Sequence, residues 1–186
     1  MWKAIVAAMV ILLVGVSFES EGGEVYDGHE FIVYSGSVVE GDLQTLTNVI
    51  GRRTGLLVFL NSPGGSVQEG LAIMAFFKEK NVKTLIAPND ECLSICSAIW
   101  LAGSTRAVLP DGKLGVHQPF MMPEVVITMT QYEYAFGTMQ TMGYWMYSVD
   151  KAGIVVDNYF FMALLNTPPN EMYIFNRDEL EILEIK

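Results

Sequence analysis

Apolar positions fall in short blocks whose spacing switches between continuous runs and a helical period. His29-Glu30-Phe31-Ile32-Val33-Tyr34-Ser35-Gly36 predicts a strand closed by a turn, preceded by a loose polar lead-in over 20–28. Leu43, Leu46, Val49 and Ile50 follow a helical spacing, with Asp42 as the expected N-cap. Leu56-Leu57-Val58-Phe59-Leu60 is apolar without alternation, the pattern of a strand in a parallel sheet covered on both faces. Ser66 and Glu69 form a capping box for a helix over 67–80, and residues 82–87 predict another strand. Short strands follow at 106–109 and 114–117. Thr130 and Glu133 then open a long helix to about residue 152, ending at Gly153. Asp157 caps a helix to Leu165, Pro168-Pro169 stops it, and 178–183 predicts a final short helix. Strands alternating with helices predict an α/β fold.

The first residues break this pattern. Met1-Trp2-Lys3 is followed by an apolar run from Ala4 to Val16, with small residues at Gly15 and Ser17. One positive charge and about thirteen apolar residues match a secretory leader. The expectation is a leader at 1–17, cleaved or kept as an N-terminal anchor, and one domain over 18–186. Either form places the domain outside the cytoplasm, periplasmic or secreted, and the membrane is a partner only if the leader stays. A formal charge of −10 argues against nucleic acid and against charge-driven binding to an anionic membrane.

Candidate chemistry centres on Glu91-Cys92-Leu93-Ser94-Ile95-Cys96-Ser97, which runs into the apolar stretch 98–102 and ends at Gly103. Ser94 falls at the start of a short helix, where free N–H groups favour an oxyanion. A helix cap is its simplest role. Asn61-Ser62-Pro63-Gly64-Gly65 breaks a strand into a turn that exposes backbone N–H groups; it is a tight βα turn or an anion cradle, and it lacks the P-loop lysine. His117 ends a strand beside a loop, where a general base can sit. His29 has no motif around it and reads as a surface residue. No Cys/His cluster suits a metal. Cys92 and Cys96 are either a bridge or two small core thiols; export favours a bridge, which would hold the turn presenting Ser94. Residues 120–146 carry six of the eleven methionines and several aromatics, an apolar surface that suits self-association.

Ser-Pro-Gly-Gly, then Ser94 in its small-residue helix, then Gly115-Val116-His117-Gln118-Pro119 together resemble the Clp protease proteolytic subunit and its secreted relatives in the crotonase-like superfamily. The Cys-x-Ser-x-Cys frame and the tail Thr167-Pro168-Pro169-Asn170-Glu171-Met172 look most like the small periplasmic members. The resemblance implies a β-β-α spiral with a mostly parallel sheet and a long helix after the histidine strand. It also implies homo-oligomers, no cofactor, and serine peptidase chemistry on peptides or partly unfolded proteins. Carried over by residue, Ser94 is the nucleophile, His117 the general base, and the N–H groups of Gly65 and Ile95 the oxyanion hole. The family's orienting aspartate has no clear counterpart; Asn166, Asn170 and Asp157 are the candidates, with Glu171 nearby. Two other functions fit the same residues: a non-catalytic Clp-like assembly protein, and a crotonase-like acyl-CoA hydratase or isomerase.

Overall fold

The computed structural model describes residues 22–120 and 129–184. The expected leader at 1–17, and residues 121–128 of the Met-rich segment, lie outside them. The strands are β1 (Glu24–Asp27), β2 (Phe31–Ser35), β3 (Leu57–Asn61), β4 (Lys83–Ile86), β5 (Glu91–Leu93), β6 (Arg106–Val108), β7 (Lys113–Val116) and β8 (Tyr173–Ile174). The helices are α1 (Asp42–Ile50), α2 (Val67–Glu79), α3 (Ile95–Leu101), α4 (Gln131–Lys151), α5 (Asn158–Asn166) and α6 (Arg177–Leu183).

Two sheets organise the chain. The larger has the order β1-β2-β3-β4-β6, parallel throughout except for antiparallel β1. The smaller has the order β5-β7-β8, with β5 and β7 parallel and β8 antiparallel. After each parallel strand of the large sheet the chain steps across to the second layer before its next element. Val38 bridges to Gly65, Ser62 bridges to Cys92, and β4 and β6 lead directly into β5 and β7. That repeated step is the β-β-α spiral, and it brings the ends of several second-layer segments to one place.

The core fills the space between sheets and helices. Ile32, Val58, Leu60 and Ile86 from the large sheet meet Phe77, Trp100 and Leu46 from the helices, all fully buried. Helix α3 is buried along its whole length, which a helix of apolar and small residues permits. Gly70 of α2 lets α3 approach: a Cβ there would lie 2.4 Å from Ile95 Cγ1. The free edge at β6 is covered by the C-terminal segment. Glu184 accepts from Val108 N–H at 2.9 Å, and Arg177 donates to Val108 O at 2.6 Å. Buried Arg106 donates to the carbonyls of Leu183 and Leu101 and lies over the Trp100 ring.

Three expectations are corrected. The stretch 20–28 contains β1, held in register by β2. Gly41, not Asp42, is the N-cap of α1. Asp42 is buried instead and accepts from Tyr34 Oη at 2.7 Å and Val39 N–H at 2.9 Å. Burial and this carboxylate push the Tyr34 phenol pKa far up. Third, Ser66 caps α2, but Glu69 does not reach back to it: its Oε1 accepts from Gly41 and Leu43 N–H at 3.2 and 2.8 Å, at the start of α1. The Thr130–Glu133 capping box and the Asp157 cap form as the spacing predicts.

Candidate active site

Ser94 sits between β5 and α3 with φ 55° and ψ −126°, a conformation that L-residues rarely adopt. Its backbone is fully committed. Its N–H donates to Gly115 O at 3.0 Å, and its carbonyl accepts from the N–H and the hydroxyl of Ser97 at 3.0 and 2.6 Å. Its side chain makes no capping bond to α3, so the simplest role for this serine does not hold. A serine kept at positive φ costs on the order of 1–3 kcal/mol and persists only where its surroundings fix it. Here they do so on both sides. Cys92 on β5 and Cys96 on α3 are joined by a disulfide, with Cα atoms 5.1 Å apart and both residues fully buried. Of the two readings the sequence left open, the structure has the bridge, and it closes across the serine.

The glycine turn presses on this elbow. A Cβ on Gly64, whose φ is +99°, would lie 2.7 Å from Ser94 Cβ and 3.3 Å from Ile95 N. A Cβ on Gly65, at φ +145°, would lie 2.2 Å from Val38 O. Only glycine fits either position. Val38 N–H donates to Gly64 O and Val38 O accepts from Ser66 N–H, both at 2.8 Å. Such a parallel bridge turns the intervening Gly65 N–H away from Val38. Ile95 is the first residue of α3, where an N–H has no partner within its own helix. Ser62 ties the turn down, its Oγ accepting from Gly64 N–H at 3.1 Å.

His117 follows β7, the strand paired with β5. Ser94 and His117 therefore leave adjacent parallel strands in the same direction, and both line one open cleft with Gly65, Phe120, Tyr144 and Pro169. No hydrogen bond joins the two side chains in this state. His117 is 7% exposed and packs against Phe120 in a tilted arrangement, with ring centroids 5.6 Å apart and an interplanar angle of 38°. Burial lowers its pKa below the usual imidazole value, with the backbone of Gln118 pulling the other way. Its Nδ1 atom is buried without a hydrogen-bond partner of good geometry.

None of the candidates for a third member meets that nitrogen. Asp157 caps α5, accepting from Tyr159 N–H at 2.7 Å. Asn166 is exposed and lines a separate cavity with Glu171 and Tyr173, and Asn170 is exposed beyond Pro169. Sequence reasoning missed two residues that shape the site. Val38 carries no motif, yet it anchors the glycine turn. Gln118 was visible only as a neighbour of His117; its N–H donates to Thr167 O at 2.9 Å and its side-chain amide to Leu165 O, clipping the end of α5 to the histidine strand. His29 is exposed on the far edge, as expected.

Three comparisons bear on this arrangement. A model of the Clp protease family matches residues 38–142, more than half of the chain, spanning the glycine turn, Ser94 and His117. The ATP-dependent Clp protease proteolytic subunit 1 of Frankia casuarinae is 30% identical over 118 residues, which is 53% of this chain and 54% of that protein. The chain thus matches about half the length of that curated relative. A mutant of ClpP1 from Listeria monocytogenes superposes with a TM-score of 0.59 at 17% identity, covering 83% of this chain and 87% of the other. At that identity the likeness speaks for the fold.

Proposed function

The chain belongs to the Clp protease family, and from that membership and its cleft we propose a serine-type endopeptidase that cleaves peptides or partly unfolded proteins. The observation that carries this reading is the Ser94 elbow: a serine at positive φ, its hydroxyl not used as a cap, in the same cleft as a buried histidine. In the proposed reaction Ser94 Oγ attacks the scissile carbonyl while His117 takes its proton. The N–H groups of Gly65 and Ile95 receive the oxyanion. His117 then protonates the leaving amine, and water, deprotonated by the same imidazole, releases the acyl group from Ser94. His117 works here without a carboxylate partner, as a serine–histidine pair. The lowered pKa suits that role, since the neutral imidazole is the base.

The unpartnered Nδ1 favours one competing reading, an assembly protein that keeps the fold without turnover. Labelling by a fluorophosphonate probe separates the two. The peptidase reading expects one label per chain, lost in Ser94→Ala and strongly reduced in His117→Ala. Absence of labelling in the native protein, or labelling that survives Ser94→Ala, would falsify the serine assignment.

We also propose that the domain works outside the cytoplasm as a homo-oligomer. The disulfide and the leader-like residues 1–17 support export. Helix α4 supports association: Tyr132 is 76% exposed, Met139 71% and Tyr147 59%, while only Trp145 and Val149 of this helix are buried.

A further inference from the structure

Among the described residues, no Lys or Arg side chain lines the cleft. Of the described residues that line it, Glu40 is the one carboxylate. The sequence extends this: the stretches 31–51, 54–77, 84–105 and 114–150, which contain all the described lining residues but Pro169, hold no Lys or Arg. The whole chain carries a formal charge of −10.

Glu40 is also fixed in place while its side chain is left unengaged. The backbone on either side is pinned by carboxylates: Val39 N–H donates to Asp42 Oδ2 at 2.9 Å, and Gly41 N–H to Glu69 Oε1 at 3.2 Å. Glu40 itself is exposed, and among the described residues its carboxylate has neither an ion pair nor a hydrogen bond. Asp42 and Glu69 do not line the cleft, but their carboxylates lie directly behind the backbone at Glu40 and add negative charge there. The position next to Glu40 is Val39, which with Val38 offers apolar wall beside the charge.

We infer that the cleft selects cationic peptide segments, and that Glu40 is the residue that reads a Lys or Arg side chain of the substrate. This rests on the peptidase reading for its turnover but not for its binding. A lysine seated against Glu40 gains one charge pair, and no Lys or Arg among the described lining residues opposes it. An acidic side chain in the same place meets Glu40 with Asp42 and Glu69 behind it. A partly shielded pair of this kind is worth a factor of about three to ten in affinity.

The test uses the full chain and a set of quenched fluorescent peptides that differ at one position, Lys, Gln or Glu, walked along a constant neutral sequence. The expected result is a kcat/KM order of Lys above Gln above Glu at one register, with about a tenfold span that shrinks as salt is raised. Glu40→Gln should collapse the Lys-to-Gln ratio toward one, and Glu40→Lys should reverse the Lys-to-Glu order. Anisotropy of the same peptides on Ser94→Ala reads the preference without turnover. Hydrolysis with no charge preference at any register overturns the inference and leaves the peptidase intact. Tighter binding of the Lys peptide, lost in Glu40→Gln, but no hydrolysis by the native chain, overturns the peptidase and leaves the inference standing. Failure of every peptide to bind overturns the inference as well.

Discussion

Replacing Cys92 and Cys96 together by alanine is expected to weaken the fold modestly and the nucleophile severely. The bridge spans a sequence separation of 4, so it closes a very short loop. In the chain-entropy model a loop of that size contributes about 2 kcal/mol, under half of what a hundred-residue loop would give. Both cysteines are fully buried, so loss of two sulfurs adds roughly 1–2 kcal/mol of packing. A total near 3–4 kcal/mol is tolerable for a domain whose stability lies in the usual range of about 5–15 kcal/mol. The local effect is larger in proportion. The Ser94 conformation costs on the order of 1–3 kcal/mol, and the bridge is one of few restraints on it. The hydrogen bonds from Leu93 N–H to Ser62 O and from Ser94 N–H to Gly115 O hold the strand side of the turn; the bridge ties that strand to α3.

If removing the bridge lets the elbow relax and recover about 2 kcal/mol of the cost of its positive-φ conformation, the population in the productive geometry falls by up to about thirtyfold. The loss should appear in kcat, or in the rate of fluorophosphonate labelling. KM should change little, because Val38, Tyr144 and Pro169 stand apart from the bridge in the cleft wall. Denaturant titration supplies the stability change independently. A double variant that loses the expected stability yet keeps native kcat would show that the bridge serves the fold alone. Two freely alkylated thiols in protein taken from an oxidising compartment would remove the premise itself.

Peptidase activity should persist below pH 6.5, because burial holds His117 in its neutral form there. Stability should move the other way: as pH falls below about 6.5 the unfolded chain binds a proton that native His117 resists, so the denaturation midpoint should drop, and less so in His117→Gln. Gly64→Ala forces a side chain to φ +99° and against Ser94 Cβ and Leu93 O; a loss of about 2–4 kcal/mol and at least tenfold in kcat is expected, and native kinetics would contradict the packing described. Gly70→Ala should destabilise despite a helix-propensity gain of up to about 1 kcal/mol. The new methyl meets Ile95, only 4% exposed, and overpacking of that kind costs about 1–3 kcal/mol. Sedimentation of the chain over residues 18–186 at micromolar concentration should show an oligomer, and Met139→Glu with Tyr147→Glu should shift it toward monomer; a native monomer would refute the role given to α4.

The helices were legible because their signals are local. Ser66, Thr130 and Asp157 each announce a helix start within three residues, and each caps the helix expected. The long parallel strands were legible for the same reason. Three of the short strands were not. β1, β5 and β8 hold 4, 3 and 2 residues and carry no apolar run of the kind that marks β6 and β7, which are as short but were expected at 106–109 and 114–117. Their partners supply the hydrogen bonds: β2, the next strand of the same hairpin, for β1, and the more distant β7 for β5 and β8. Asp42 illustrates how tertiary structure overrides a local signal. Its spacing suits a cap, but Tyr34 and Val39 claim the carboxylate, and Glu69, far along the chain, takes over the start of α1.

The same distinction explains what could be read of the site. Ser94, Gly65 and His117 stand where the sequence changes element type, so each advertises itself through a turn. An orienting partner for His117 would have to arrive from the C-terminal segment, and its identity depends on how 166–172 lies against β7. Gln118 decides that placement by holding the carbonyls of Leu165 and Thr167. With the backbone clipped there, Asn166 is exposed and faces the neighbouring cavity, and the chain continues through Pro168 and Pro169 along the rim of the cleft. On this reading the path of the chain set by that clip, rather than the residue type at 166 alone, accounts for the unpartnered Nδ1. Asn166→Asp tests the point. If the clip governs, an aspartate there should leave kcat and its pH dependence within about twofold of native, because a carboxylate that faces another cavity cannot orient the imidazole. A gain of tenfold or more in kcat would show instead that residue 166 reaches His117, and that the missing charge, not the path of the chain, limits the histidine.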